Sequence, residues 1–180
     1  MIKLFARFIL YTIFGWKIIG SFPKSLKKYV IIAAPHTHWF DFPLGVAIKY
    51  AENLPANFIG KASLFKPPFG FIFKWLGGMP IDRSKSSNKV EAIVDIYNSH
   101  ENFILVLSPE GTRKKVADWK TGFYYIAKGA KVPIVMIAFD FKNKEVKVAE
   151  PYYLTNHKEN DFNFFHKFYA GILGKIPKNF

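Results

Sequence analysis

Tyr29-Val-Ile-Ile-Ala-Ala34 is an unbroken apolar run rich in β-branched residues, and it constrains this chain more than any other feature. Its length and composition predict a buried strand. Asp41 to Tyr50, just beyond it, reads as a helix. Asn57 to Gly60 predicts another short strand, and Lys89 to Tyr97 a helix with Ser84 and Ser86 as caps. Phe103 to Leu107 is a second clear strand and Gly122 to Lys128 a helix. Ile134 to Phe139 and Glu145 to Val148 predict further strands, joined around Asn143. Asp161 to Leu173 reads as a final helix. Strands alternating with helices predict an α/β fold, a mostly parallel central sheet flanked by helices. Ligands of such sheets bind beyond the strand C-termini.

At 180 residues the chain fits one domain. The segment before the first strand is different in kind. The longest uncharged stretch within residues 2 to 19 is Phe8 to Trp16, nine residues, whereas a membrane-spanning helix needs roughly twenty. On a helical wheel Lys3, Arg7 and Lys17 share an arc of about 80°, with Phe5, Ile9, Ile13 and Trp16 over much of the remaining circumference. Residues 1–21 are therefore expected to form an amphipathic helix lying in a membrane interface, ahead of a domain over residues 22–180. Packing of that helix on the domain's own core is the alternative. Lys17 interrupts the segment and no small-residue cleavage site follows, so no cleavable signal peptide is expected.

Twenty-six Lys and Arg against 13 Asp and Glu give a formal charge of +13. A surface of that charge attracts nucleic acid or an anionic membrane. Half the residues are hydrophobic and 20 are Phe, which favours the membrane; no nucleic-acid-binding motif is present, and nucleic acid is not an expected partner. The absence of cysteine excludes disulfides, thiol nucleophiles and thiolate metal sites. One irregular segment, Phe65 to Gly78, interleaves aromatic residues with Lys66 and Lys74. It suits an acyl-chain wall, a second membrane contact, or a helix packed into the core.

Three blocks carry chemistry. His36 and Asp41, with four residues between them, follow the Tyr29 strand, and an imidazole with a nearby carboxylate is the minimum equipment for activating a hydroxyl. Ser108-Pro-Glu110-Gly111-Thr112-Arg113 follows the Phe103 strand. Between them lies Gly77-Gly78-Met-Pro-Ile-Asp82-Arg83. His36, His38 and Asp41 could alternatively be read as metal ligands, but no further ligands cluster with them, and neither metal nor cofactor is expected.

In order and spacing these blocks, with Val132-Pro133-Ile134, resemble the glycerolipid acyltransferase superfamily, that of the lysophosphatidic acid acyltransferases, over roughly residues 30 to 138. The pattern departs from the family's at Pro35, His38, Trp39, Ser108 and Met136, none of which is a chemical residue. The resemblance implies transfer of a fatty acyl group from acyl-CoA or acyl carrier protein to a lysophospholipid hydroxyl. By default the acceptor is 1-acyl-glycerol 3-phosphate and the product phosphatidic acid. His36 is then the general base and Asp41 its orienting partner. Arg83 and Arg113 bind the acceptor phosphate, while Glu110, Gly111 and Thr112 shape the glycerol-binding turn. Another acceptor within the family (glycerol 3-phosphate, an amino-acid lipid or a glycolipid) is the alternative, and a non-catalytic basic membrane-binding protein is a second. Peripheral attachment at the cytoplasmic face of a bacterial-type inner membrane follows from the same resemblance.

Overall fold

A computed structural model describes residues 1–81, 89–155 and 157–180. Seven strands among them form one sheet: β1 (Lys17–Ile19), β2 (Lys28–Ala34), β3 (Ala56–Lys61), β4 (Gly78–Ile81), β5 (Phe103–Leu107), β6 (Ile134–Asp140) and β7 (Glu145–Val148). Their order across the sheet is β1-β7-β6-β2-β5-β3-β4. Every pairing is parallel except the β6–β7 hairpin. The helices are α1 (Ile2–Arg7), α2 (Asp41–Glu52), α3 (Gly70–Trp75), α4 (Lys89–Ser99), α5 (Gly122–Ala130) and α6 (Lys158–Tyr169). This is the mostly parallel α/β architecture that the alternation of strand and helix predicts.

The β2 run is apolar throughout because both its faces are covered. Tyr29, Ile31 and Ala33 enter one core with Val135, Ile137 and residues of α1 and α2. Val30, Ile32 and Ala34 enter the other with Leu105, Met136 and residues of α4, α5 and α6. β2 lies between β5 and β6, with Ile31 opposite Val106 on one side and Val135 on the other. The Asn143 turn joins β6 to β7 as expected, Asn143 donating through its backbone N–H and side chain to Asp140.

Two expectations are corrected. The opening helix does not run to residue 19: α1 continues as one wider turn over Phe8–Ile13, and the chain then passes through Gly15 at φ +67°. Lys17, Ile18 and Ile19 instead form edge strand β1 against β7, so Lys17 does not share a helical arc with Lys3 and Arg7. Short runs with β-branched residues suit strand as well as helix, and the glycine decides between them here. The final helix spans Lys158–Tyr169, not 161–173, because Ala170 leaves helical geometry and Gly171 adopts φ +77°. β4 pairs with β3 at the sheet edge, where Pro80 takes no ladder donor away from the interior. Ser84 and Ser86, the expected caps of α4, lie outside the described residues.

Asp161 ties α6 to the rest. Fully buried, its carboxylate accepts from the Tyr124 hydroxyl at 3.1 Å, the Tyr152 hydroxyl at 2.8 Å, and the Thr155 hydroxyl and N–H at 2.8 and 3.2 Å. Burial alone would push its pKa up, but these four donors outweigh it and hold the group below its ordinary range. Its folded pKa therefore lies below its unfolded one, so it adds stability above the unfolded value and loses it as pH falls through the folded one. Asp161→Ala is expected to cost about 2–4 kcal/mol by stranding buried donors, read from the denaturant midpoint. Asp161→Asn should flatten the acid limb of the stability curve; an unchanged limb would assign acid unfolding to other carboxylates.

Candidate active site

β2 and β5 are paired neighbours, so the loops after Ala34 and Leu107 leave the same edge of the sheet side by side. One residue bridges them. The Glu110 carboxylate accepts the His36 N–H at 2.9 Å to Oε1 and 3.0 Å to Oε2, and Ser108 Oγ donates to Oε2 at 2.8 Å. Glu110 is only 2 % exposed. Burial pushes its pKa up, and the His36 amide and Ser108 hydroxyl pull it back part of the way. Glu110 thus fixes the backbone from which the His36 ring projects.

Asp41 opens α2 and is buried. Its Oδ2 accepts the N–H groups of Thr37 and His38 at 2.8 and 2.9 Å, and stands 3.1 Å from His36 Nδ1. Two backbone amides thereby aim the carboxylate at the ring. That contact makes Nδ1 the donor and leaves Nε2 as the basic nitrogen. Asp41 Oδ1 is also buried and has no hydrogen-bond partner among the described residues. His38 is occupied elsewhere: its Nδ1 accepts the Phe40 N–H at 3.1 Å.

His36, Asp41, Gly111, Thr112 and Arg113 all line one cavity of about 930 Å³, within the roughly 300–1,000 Å³ range of small-ligand sites. Phe42, Val46, Phe58 and Leu76 give it an apolar wall, and Lys114 and Lys120 add charge beside Arg113. Gly111 takes φ +67°, the left-handed turn that glycine adopts without strain. Glu110 is not part of that lining; it borders a second cavity of about 390 Å³. Arg83 lies outside the described residues.

The sequence reading did not single out Lys49, which lines the cavity with Asp41 and Gly45. The three recur every four residues along α2, a spacing that puts them on one helical face. Lys49 Nζ donates to the carbonyls of Ala56 and Leu76 at 2.8 and 2.7 Å, and burial lowers its pKa. It clasps α2 to the start of β3 and the end of α3. The Ser108–Glu110–His36 link was equally unmarked, because it joins residues 74 positions apart.

This chain is similar to proteins of known activity. It is 26 % identical over 144 residues to the 1-acyl-sn-glycerol-3-phosphate acyltransferase of Escherichia coli (strain K12), covering 76 % of this chain and 58 % of the relative. It is 29 % identical over 155 residues to the human 1-acyl-sn-glycerol-3-phosphate acyltransferase beta, covering 71 % and 54 %. The chain thus spans little more than half the length of these relatives. The crystal structure of the LPA acyltransferase PlsC from Thermotoga maritima shares its fold, with TM-score 0.62 at 17 % identity over 93 % of this chain and 74 % of that one. A family model described as Acyltransferase matches residues 17–140, spanning the strand, the His36–Asp41 loop and the Glu110 loop. The chain belongs to the acyltransferase family.

Proposed function

We propose that this protein transfers a fatty acyl group from a thioester, acyl-CoA or acyl carrier protein, to the hydroxyl of a lysophospholipid. The acceptor is 1-acyl-glycerol 3-phosphate and the product phosphatidic acid. One observation carries this reading: His36, oriented through Nδ1 by Asp41, lines a cavity that joins an apolar wall to Arg113, Lys114 and Lys120. Nε2 takes the proton as the acceptor oxygen attacks the thioester carbonyl carbon. The carbon–sulfur bond breaks and the proton passes to the departing thiolate, giving an ester and a thiol. Asp41 stabilises the imidazolium that forms in between. Arg113 supplies donors for the acceptor phosphate, and Gly111 and Thr112 shape the glycerol-binding turn; the same phosphate role for Arg83 rests on the family resemblance. Direct transfer requires no acyl-enzyme, so thiol release by the protein should depend on the acceptor. A burst of free thiol from acyl-CoA without acceptor would contradict it.

Attachment to a membrane, from the cytoplasmic side, completes the proposal. Among the described residues no helix is long and apolar enough to cross a bilayer. α1 buries Ala6 and, with the turn after it, Leu10 in the core, yet leaves Leu4, Phe5 and Phe8 exposed. Phe69, Phe71 and Trp75 form a second exposed aromatic group in and beside α3, with exposed Lys66 and Lys74 interleaved. Apolar anchors among cations suit an anionic interface. The double variant Phe71→Ser, Trp75→Ser is expected to weaken co-sedimentation with phosphatidylglycerol vesicles about tenfold or more. Unchanged binding would leave residues 1–21 as the whole contact.

A further inference from the structure

The seven residues after Leu173 are not used by the chemistry above, yet they converge on the catalytic loop. Leu173 itself is anchored, its carbonyl accepting the Phe141 N–H at 2.9 Å just past β6. Gly174 then packs so tightly that a Cβ there would come within 2.7 Å of Thr37 Oγ1 and 3.0 Å of Pro35 Cβ. Lys175 Nζ stands 4.2 Å over the Phe40 ring. The Ile176 N–H donates to Thr37 Oγ1 at 3.2 Å, and Asn179 Nδ2 donates to the Thr37 carbonyl at 3.4 Å. Pro35, Thr37 and Phe40 flank His36 or lie between it and Asp41.

Thr37 is where these contacts meet the chemistry. It is 2 % exposed, and its own N–H donates to the Asp41 oxygen that faces the His36 ring. Held on its hydroxyl and its carbonyl by the segment after α6, Thr37 has its N–H fixed toward that carboxylate. We propose that residues 173–180 form a strap that positions the His36–Asp41 pair through Thr37. This rests on the reading of His36 as the base. Thr37, Gly174 and Asn179 are positioning residues on this account: they touch no substrate and act through the carboxylate. A loop anchored only at its two ends would leave the amides that aim Asp41 free to drift, and misalignment by an ångström costs catalysis heavily.

The test compares kcat and KM for Thr37→Val, Thr37→Ser and Gly174→Ala, well below their melting temperatures. Thr37→Val keeps the shape but removes the acceptor of the Ile176 N–H; Gly174→Ala drives a methyl against Thr37 and Pro35. Both are expected to lower kcat about tenfold with KM within about twofold, while Thr37→Ser, which keeps the hydroxyl, recovers most of the activity. NMR of isotope-labelled histidine gives a readout independent of turnover: the Nδ1 proton of His36, hydrogen-bonded to Asp41 in the wild type, should weaken or shift in Thr37→Val and persist in Thr37→Ser. Wild-type kcat in both Thr37→Val and Gly174→Ala would overturn the strap, as would an unaltered Nδ1 proton in Thr37→Val. Losses that merely follow the unfolded fraction would do so too. If His36→Ala proved fully active, the base reading would fail instead, and the Nδ1 proton would still decide whether the strap sets the pair.

Discussion

His36→Ala is expected to lower acceptor-dependent thioester turnover by about 10²–10⁴-fold, the usual contribution of a positioned general base. KM for the acceptor should change little, because the cationic and apolar parts of the cavity lining remain. Vesicle binding should be untouched, since the exposed aromatics of α1 and α3 lie on other elements. That combination separates an enzyme from a basic lipid-binding protein, in which His36 would have nothing to catalyse. His38→Ala is the matched control. Its ring accepts from Phe40 and it reaches Asp41 through its backbone N–H, so the expected loss is only a few-fold. Abolished turnover in His38→Ala with His36→Ala active would reverse the assignment.

Asp41→Asn is expected to lower kcat by about 10²–10³-fold, by the reasoning that a neutral amide no longer stabilises the imidazolium. Geometry adds to the loss. Oδ2 accepts from two backbone amides and faces a third donor, His36 Nδ1. An asparagine carbonyl can occupy that position, but its NH2 then falls where Oδ1 is buried without a partner among the described residues. The alternative flip sets the NH2 against three donors. The first arrangement strands a donor at a cost of about 1–3 kcal/mol, so a lower melting temperature should accompany the kinetic loss. A variant that loses stability but keeps kcat would make Asp41 a helix-start residue alone.

The interior of the fold was legible in the chain, and its margins were not. β2, β5 and β6 are buried on both faces, which leaves a continuous apolar record in Tyr29–Ala34, Phe103–Leu107 and Ile134–Phe139. Edge strands carry no such record. Lys17–Ile19 hides at the end of a helical pattern, and Gly78–Ile81 contains a proline that only an edge tolerates. The site divides the same way. His36 and Asp41 are five positions apart, at the two ends of one loop, so their spacing could suggest a contact. The Glu110 bond to the His36 amide spans 74 positions and the Asn179 bond to Thr37 spans 142. Such contacts follow from strand order and from where α6 stops, neither of which local pattern encodes. Glu110 shows what is lost: the family resemblance implied a shaper of the glycerol-binding turn, and the bond its carboxylate also makes to the His36 amide left no mark in the local pattern.

The most direct test of the account is product identification with the wild-type protein on anionic vesicles. Acyl-CoA and acyl carrier protein thioesters are supplied separately, with 1-acyl-glycerol 3-phosphate as acceptor, and the lipids are analysed by mass spectrometry. The account predicts phosphatidic acid carrying the donor's acyl chain, formed with at least one of the two donors and absent with His36→Ala. Folded, vesicle-bound protein that yields no phosphatidic acid from either donor would contradict it.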